Sequence, residues 1–537
     1  MGALKKGLGD IYPVCRALLG STLWERIQEE IGANNQVETL PDTLSRNRGG
    51  LEIPGYLPDL ARIERAFFRA GIAEIPSTVE SLCLNPTVQL VQIAWKNLPC
   101  FFSPTQERDV PLPEPGNELV VVWKSPGSVE IQLRTATKQD LLALKMVAEG
   151  ISPGEAAAAA NVQLSIVRAA LDAAAHDGIL LAPASKIQRD RLYFCRTEDS
   201  RSPDFFSASV FTLQWHITQD CDLHCKHCYD RSERKPLELA SARKILEDLS
   251  LFCESKHVRG QISFSGGNPL LYPDVKELYR EASERGFALA ILGNPAPREQ
   301  IESLISIEKP AFFQVSLEGL EEHNDRIRGT GHFERTMKFL NILRDLKIYS
   351  MVMLTLTKEN MSQVIPLCEH LRDQANLFTF NRLAMVGEGA NLGLPSPREY
   401  ATFLENYIAA SETNPVMGLK DNLMNIIFHE KGMKLFGGCT GYGCGAAFNF
   451  ISVLPDGEVH ACRKFPSQVG NIFHNSLIEI YDSGAARRYR QRSEGCDLCP
   501  IERVCGGCLA VTHGHGLDIF KERDPYCFIR RDTSRYS

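Results

Sequence analysis

Hydrophobic positions in the first hundred residues recur at helical spacing between turns rich in Pro and Gly. Tyr56-Leu57-Pro58-Asp59 reads as a helix start, and Leu60, Ile63, Glu64, Phe67 and Phe68 follow at that spacing. The pattern then changes. Two apolar runs, Glu118 to Trp123 and Val129 to Arg134, flank Ser125-Pro126-Gly127 and predict a hairpin. Helical spacing returns over 138–149, 153–160 and 164–176. Ser152-Pro153 marks a start, Gly150 and Gly178 mark stops, and Ile179 to Leu181 reads as a short strand. Farther on, apolar strands near 214–218, 261–265, 288–293, 311–317, 350–356 and 377–383 alternate with helical stretches such as Leu239 to Glu254 and Phe333 to Leu346. Such alternation predicts parallel βαβ units and an α/β fold. Phe450 to Leu454 and Glu458 to Ala461 flank Pro455-Asp456-Gly457, a second hairpin that puts Cys462 at a strand end.

A length of 537 residues predicts three or four domains, and 44% apolar residues suffice for buried cores. The patterning divides the chain into a helical N-terminal domain (1–115), a winged-helix-like module (116–200), a strand–helix domain (205–390), a helical bridge (391–430) and a cysteine-rich C-terminal domain (431–537). The net charge of −7 gives no general pull towards nucleic acid or anionic membrane. No run of 18 apolar residues occurs, and Met1-Gly-Ala-Leu-Lys-Lys has no apolar signal segment after it, so the protein is expected in the cytoplasm. Winged helices often bind DNA. Here the third helix, Leu164 to His176, carries one arginine, one aspartate and many alanines, which argues against nucleic acid as a partner. A similar small fold can hold an extended peptide along a sheet edge, main chain to main chain, and the hairpin suits that use. A dimerisation module is the plainer alternative.

Seventeen cysteines in such a chain argue for metal or redox chemistry before disulfides. Eleven fall within 221–228 and 439–527. The other six (Cys15, Cys83, Cys100, Cys195, Cys253 and Cys368) are scattered, as packing residues are. Cys221-Asp-Leu-His-Cys225-Lys-His-Cys228 lies on the turn after the strand at 214–218. Three thiolates this close can ligate one iron–sulfur cluster and leave one iron open. A zinc knuckle is the alternative. The strand at 261–265 runs into Gly266-Gly267-Asn268-Pro269. The eight C-terminal cysteines (Cys439, Cys444, Cys462, Cys496, Cys499, Cys505, Cys508 and Cys527) are enough for two closed four-cysteine sites, with a pair of zinc ribbons as the rival.

The C-x3-C-x2-C run, with Gly-Gly-Asn-Pro where a Gly-Gly-Glu-Pro motif would stand, resembles the radical S-adenosylmethionine (SAM) superfamily. The resemblance implies a partial (β/α)6 barrel with its chemistry at the C-terminal ends of the strands. It implies a 4Fe-4S cluster on Cys221, Cys225 and Cys228, with SAM chelating the open iron. It puts His227 beside the adenine, and the backbone of Gly266 and Gly267 beside the methionyl amine, where missing side chains permit close approach. Asn268 replaces the usual glutamate and keeps an acceptor oxygen. Ser316-Leu-Glu318-Gly319 and Asp325-Arg-Ile-Arg328-Gly resemble segments of peptide-modifying members. They imply Ser316 or Glu318 at the ribose and Arg328 at the SAM carboxylate. Turn or cap roles are the alternative. Asn294 is a further SAM candidate, and Arg382 is expected to face the cavity mouth.

The pattern Cys444-x12-Gly457-x4-Cys462, Cys496-x2-Cys499-x5-Cys505-x2-Cys508 and Cys527 resembles the SPASM extension of radical SAM peptide maturases. It implies two auxiliary 4Fe-4S clusters, three clusters in all. Cys439, Cys444, Cys462 and Cys508 would hold the inner auxiliary cluster, and Cys496, Cys499, Cys505 and Cys527 the outer. His513 and His515 are further possible ligands, or members of a Gly-rich turn. Sulfatase-maturing relatives carry an acidic residue after the cysteine matching Cys462. Here Arg463-Lys464 stands there, so formylglycine formation is not carried over and no catalytic acid or base is named. Ile53-Pro-Gly-Tyr-Leu-Pro-Asp resembles the accessory proteins of multinuclear iron oxidases in peptide modification. Together these features most resemble the selenobiotic-type maturases. They imply cleavage of SAM to a 5′-deoxyadenosyl radical and oxidative modification of a ribosomal precursor peptide, with ferredoxin or flavodoxin as electron donor. A sulfur-to-carbon (thioether or selenoether) crosslink leads, then a carbon–carbon crosslink, then epimerisation. An iron–sulfur transcriptional sensor and an electron-transfer scaffold are the alternatives from other classes.

Overall fold

A computed structural model describes residues 7–31, 39–46, 53–102, 111–190, 194 and 205–530. The chain forms two compact units, Met1–Ala184 and Ser185–Ser537. Cys195 lies outside the described residues.

In the first unit, the helix Leu57–Ile72 buries Leu57, Leu60, Ala61, Ile63, Ala66 and Ala70; of the face expected from spacing, Leu60, Ile63 and Glu64 are buried, while Phe67 and Phe68 are half-buried against the same core. The Glu64 carboxylate accepts the N–H groups of Val14 (2.6 Å) and Cys15 (3.1 Å) at the start of the helix Pro13–Ile31. The strands are β1 (Cys83–Leu84), β2 (Gln89–Lys96), β3 (Glu114–Lys124), β4 (Ile131–Thr135) and β5 (Leu180–Leu181). The hairpin β3–β4 and the helices Lys138–Glu149, Pro153–Ala160 and Leu164–His176 stand where the pattern put them. Two further strands do not. β2 pairs antiparallel with β3 from Gln89–Val122 to Lys96–Glu114, and β1 pairs with β5. The expected boundary at 115 therefore falls inside a three-stranded sheet, β2-β3-β4. Cys83–Leu84 and Gln89–Lys96 are strands where helices were expected. Only one residue of β2, Ile93, is fully buried, so its hydrophobic signal is weak.

In the second unit, β6 (Val210–Thr218), β7 (Arg259–Gly266), β8 (Ala288–Leu292), β9 (Phe312–Ser316), β10 (Ser350–Leu356) and β11 (Leu377–Arg382) run parallel in that order. This is the partial barrel. Phe211, Leu213, Trp215 and Ile217 alternate along β6 and are fully buried, while His216 and Thr218 take the other face. The helix Leu239–Lys256 covers the sheet with Ala242, Ile245, Leu246, Leu249 and Phe252. The C-terminal hairpin, β12 (Phe450–Val453) and β13 (Glu458–His460), does not stand apart. β12 pairs parallel with β6, from Phe450–Thr212 to Val453–Trp215, and β14 (Gln468–Asn471) closes a nine-stranded sheet. The barrel and the cysteine-rich region thus share one sheet. Between them, the helices Pro397–Ser411 and Met424–Glu430 occupy the expected bridge. Cys15, Cys253 and Cys368 are buried, and Cys83 and Cys100 half-buried. No helix among the described residues is long and apolar enough to cross a membrane.

Candidate functional site

A cavity of about 780 Å³ opens at the C-terminal ends of the barrel strands. The loop Cys221–Cys228 forms one wall. Gly266 and Gly267, then Asn294, Ser316, Thr355 and Asn381, follow round the strand ends, and Arg463 and Lys464 come in from the C-terminal hairpin.

The two glycines have a cause that the sequence did not show. A Cβ on Gly266 would lie 2.0 Å from the carbonyl oxygen of Thr218, and Gly266 has φ +131°. A Cβ on Gly267 would lie 2.3 Å from Asp220 O and 2.5 Å from Gln219 O. Bare backbone is needed so that this turn can pack on the root of the cysteine loop. The N–H groups of Gly267 and Asn268 donate to Thr218 O (3.0 Å) and Asp220 O (2.7 Å). Asn268 is buried and does not line the cavity. Its Nδ2 and that of Asn294 both donate to Asp222 Oδ1, at 2.9 and 2.6 Å, and Asn294 Nδ2 lies 3.6 Å from Cys221 Sγ. Asp222, inside the cysteine loop, was not singled out from sequence. Its position between Cys221 and Cys225 was the available signal.

Ser316 and Glu318 separate clearly. Ser316 lines the cavity, whereas Glu318 is 1% exposed and lies behind the wall. Its Oε1 accepts Arg328 Nε (2.9 Å) and Nη2 (2.6 Å), and its Oε2 accepts the Thr355 N–H (2.8 Å). Burial opposes its charge, but His227, Arg328 and the Thr355 N–H together hold the Glu318 carboxyl below its ordinary range. Arg328 is held above its ordinary value by Glu318, against the effect of burial. Its Nη1 remains turned towards Cys225 Sγ at 3.7 Å. Glu318 is thus a brace for Arg328 rather than a ribose ligand. Asp325 of the same motif accepts the Phe333 N–H (2.8 Å), a turn role. His227 lies 3.4 Å from both Arg328 Nη2 and Glu318 Oε1, burial pushes its pKa down, and its buried Nδ1 has no hydrogen-bond partner among the described residues.

Arg382 touches the cavity, but its guanidinium is already occupied. It binds Asp421 (2.9 Å) and Asp524 (2.6 Å) and lies against the rings of both Tyr400 and Tyr526. It ties the last barrel strand to the bridge and the C-terminal region. Both histidines are exposed: His513 packs on Phe465 within the helix Leu509–Gly514, and His515 pairs with Val511 O in the Gly-rich turn that follows it. Two further groups escaped the sequence reading. Tyr229 OH meets His216 Nε2 at 3.2 Å, and burial pushes His216 down to about 3. Lys420 reaches Met353 Sδ at 3.9 Å, and burial pushes it down to about 8.

The cysteine thiols influence one another in three sets. Burial raises Cys225 and Cys228, and each also feels Cys221. Burial raises Cys505 well above the ordinary thiol, and Cys499, Cys496 and Cys527 add to the rise. Burial likewise pushes Cys462 up to about 12, with Cys508 and Cys444 adding. Cys439 and Cys462 both act on Lys420. Among the described residues, no group of three or more Cys, His, Asp or Glu side chains is close enough to hold a single metal ion. The donor chemistry suits iron–sulfur clusters: thiols, with N–H groups directed at sulfur from Arg328, Asn294 and the Gly507 backbone. The unpartnered His227 Nδ1 and the half-open cavity beside it suit a bound SAM.

Two family profiles match the chain: the radical SAM superfamily over residues 215–371, and the SPASM iron–sulfur cluster-binding domain over 444–508. The antilisterial bacteriocin subtilosin biosynthesis protein AlbA of Bacillus subtilis is 27% identical over 310 residues, 55% of this chain and 66% of that protein. An AdoMet-dependent heme synthase of Methanosarcina barkeri is 27% identical over 349 residues, 59% of this chain and 96% of the synthase. Mycofactocin maturase MftC of Mycolicibacterium smegmatis is 26% identical over 335 residues, 59% and 82% of the two chains. The crystal structure of Streptococcus suis SuiB bound to S-adenosylmethionine superposes with a TM-score of 0.50 at 16% identity, over 77% of this chain and 97% of SuiB. That likeness concerns the fold.

Proposed function

We propose that this chain, which belongs to the radical SAM superfamily and carries a SPASM iron–sulfur domain, is an enzyme that oxidatively modifies a ribosomally made precursor peptide. The bond we favour is a sulfur-to-carbon crosslink at a cysteine or selenocysteine. The observation that carries the peptide reading is the first unit. There the sheet β2-β3-β4 ends in β4, whose outer edge pairs with no strand among the described residues, beside a three-helix layer. Such an edge can take up an extended segment of a precursor by main-chain pairing. Relatives named for bacteriocin biosynthesis and for mycofactocin maturation support the same substrate class. Heme synthases stand at equal identity, so the barrel and cluster domain do not choose between substrates. The free sheet edge of the N-terminal unit is what favours a peptide in our reading.

With SAM and the clusters bound, the cofactors supply a 5′-deoxyadenosyl radical and a route for the spare electron. The chain's own part is positional. Cys221, Cys225 and Cys228 hold the SAM-binding cluster. The Gly266-Gly267 turn fixes the root of their loop, and Asp222, anchored by Asn268 and Asn294, fixes its middle. Glu318 aims Arg328 at the cluster wall, and Ser316 offers a hydroxyl to the cavity. Cys439, Cys444, Cys462 and Cys508, and Cys496, Cys499, Cys505 and Cys527, hold two auxiliary clusters, fed by ferredoxin or flavodoxin.

The test uses anaerobically reconstituted protein with SAM, reductant and the short cysteine-rich open reading frames encoded nearby. Tandem mass spectrometry of the peptides should show loss of two hydrogens, resistant to thiol alkylation. Unchanged mass with deuterium uptake from solvent would favour epimerisation. Formation of 5′-deoxyadenosine with no peptide change would overturn the substrate class.

A further inference from the structure

Seven cationic side chains line the cavity, and four are already neutralised. Arg328 is paired with Glu318 and Arg382 with Asp421 and Asp524. Arg234 is paired with Asp456 and Glu458, and Arg231 lies 3.8 Å from Glu388. Of the remaining three, Lys235 is exposed, whereas Arg463 and Lys464 are half-buried. Among the described residues neither has a carboxylate within ion-pair distance. Arg463 instead stretches from the C-terminal hairpin across to β7, where its Nη1 donates to Ser265 Oγ at 3.1 Å. Ser265 immediately precedes the Gly266-Gly267 turn and itself lines the cavity. The guanidinium is therefore held at the cavity wall by a neutral acceptor that leaves its charge unspent, with the Lys464 ammonium on the same wall. A partly buried guanidinium presents several donors in a fixed fork, and its best complement is a carboxylate.

We propose that Arg463 and Lys464 form a subsite for a substrate carboxylate, the side chain of an aspartate or glutamate close to the residue that is modified. The proposal deepens the peptide reading above and rests on it for the identity of the substrate. It makes the site selective: a precursor whose modified segment carries an acidic residue is oriented by that residue, and a neutral segment is not. Counter-charge for the auxiliary cluster beside Cys462 is the competing role for the two cations, and SAM's own carboxylate is a competing occupant.

The test is a binding measurement on the full chain, reconstituted with iron and sulfide and saturated with SAM. N-acetyl-glutamate methylamide is compared with its neutral isostere, N-acetyl-glutamine methylamide, by saturation-transfer NMR. The carboxylate probe should bind and the amide should not. In Arg463→Gln and in Lys464→Gln the affinity for the carboxylate probe should fall roughly 10-fold or more. Equal binding of the two probes to the unmutated protein overturns the proposal without any variant. Iron and sulfide are counted in each variant. If the reduction potential of the auxiliary cluster moves while probe binding does not, the cations serve the cluster and the proposal falls. If SAM affinity falls in place of probe affinity, the carboxylate is SAM's and the proposal falls. None of these results needs a processed peptide. A failure of the precursor assay would therefore sink the peptide reading separately from the subsite.

Discussion

Replacing Gly267 by alanine should disable the SAM-binding cluster while leaving the rest of the fold in place. The new Cβ would lie 2.3 Å from Asp220 O and 2.5 Å from Gln219 O, both main-chain atoms. Ordinary contact begins near 3.4 Å, so the turn must withdraw by roughly 1 Å (3.4 minus 2.3). Withdrawal stretches the hydrogen bonds from Gly267 N to Thr218 O and from Asn268 N to Asp220 O. Overpacking costs about 1–3 kcal/mol, and two weakened hydrogen bonds about 1 kcal/mol each. A total of about 3–5 kcal/mol falls below the whole stability of a domain, so the loop should yield before the barrel does. Cys221 follows Asp220 directly and would move with it. A 1 Å misplacement of reacting groups can cost about 100-fold in rate. The assay is 5′-deoxyadenosine formation under strong reductant, with electron paramagnetic resonance of the reduced protein with and without SAM. The expected result is a loss of about 100-fold in SAM cleavage and of the SAM-sensitive signal, with iron retained at the C-terminal cysteines. A variant with the native signal and rate would refute the steric argument.

Other predictions follow from single contacts. Asp524→Asn leaves Arg382 buried with half of its counter-charge, and should lower the stability of the second unit by about 3–5 kcal/mol in a denaturant titration; a loss under about 1 kcal/mol would contradict it. Gly154→Ala, on the helix Pro153–Ala160 with open space around the new methyl group, should raise the stability of the first unit by up to about 1 kcal/mol. Burial pushes the Glu64 carboxyl above its ordinary 4.5, so its contribution is fully present below that pH and is lost as pH rises through the folded value. Amide exchange at Val14 and Cys15 should therefore speed up as pH rises above the ordinary carboxyl range more steeply than in Glu64→Gln, after correction for intrinsic exchange. Parallel slopes would show that Glu64 does not carry that dependence.

Much of this protein was legible in one dimension because the signals are local. Each barrel strand is a short apolar run, and each cover helix repeats its apolar face every three or four residues. The pattern therefore located β6 to β11, the helix Leu239–Lys256 and the three helices from Lys138 to His176. Cysteine spacing is equally local within Cys221–Cys228 and Cys496–Cys508. What the tertiary structure alone decided involves partners far apart along the chain. β2 joins the β3–β4 hairpin, and β12 extends the barrel sheet beside β6. Strand pairing is backbone to backbone, and neither strand's side chains name its neighbour. The Gly266-Gly267 pair was visible as a motif, but its steric cause, the Thr218–Asp220 backbone, lies on another strand's loop. Ser316 and Glu318 were equal candidates by residue type. Only packing, which buries Glu318 against Arg328 and the Thr355 N–H, gave one a brace's task and left the other facing the cavity. A sequence sets which groups a chain can offer. Which of them remain unspent depends on the charges and carbonyls that folding brings beside them.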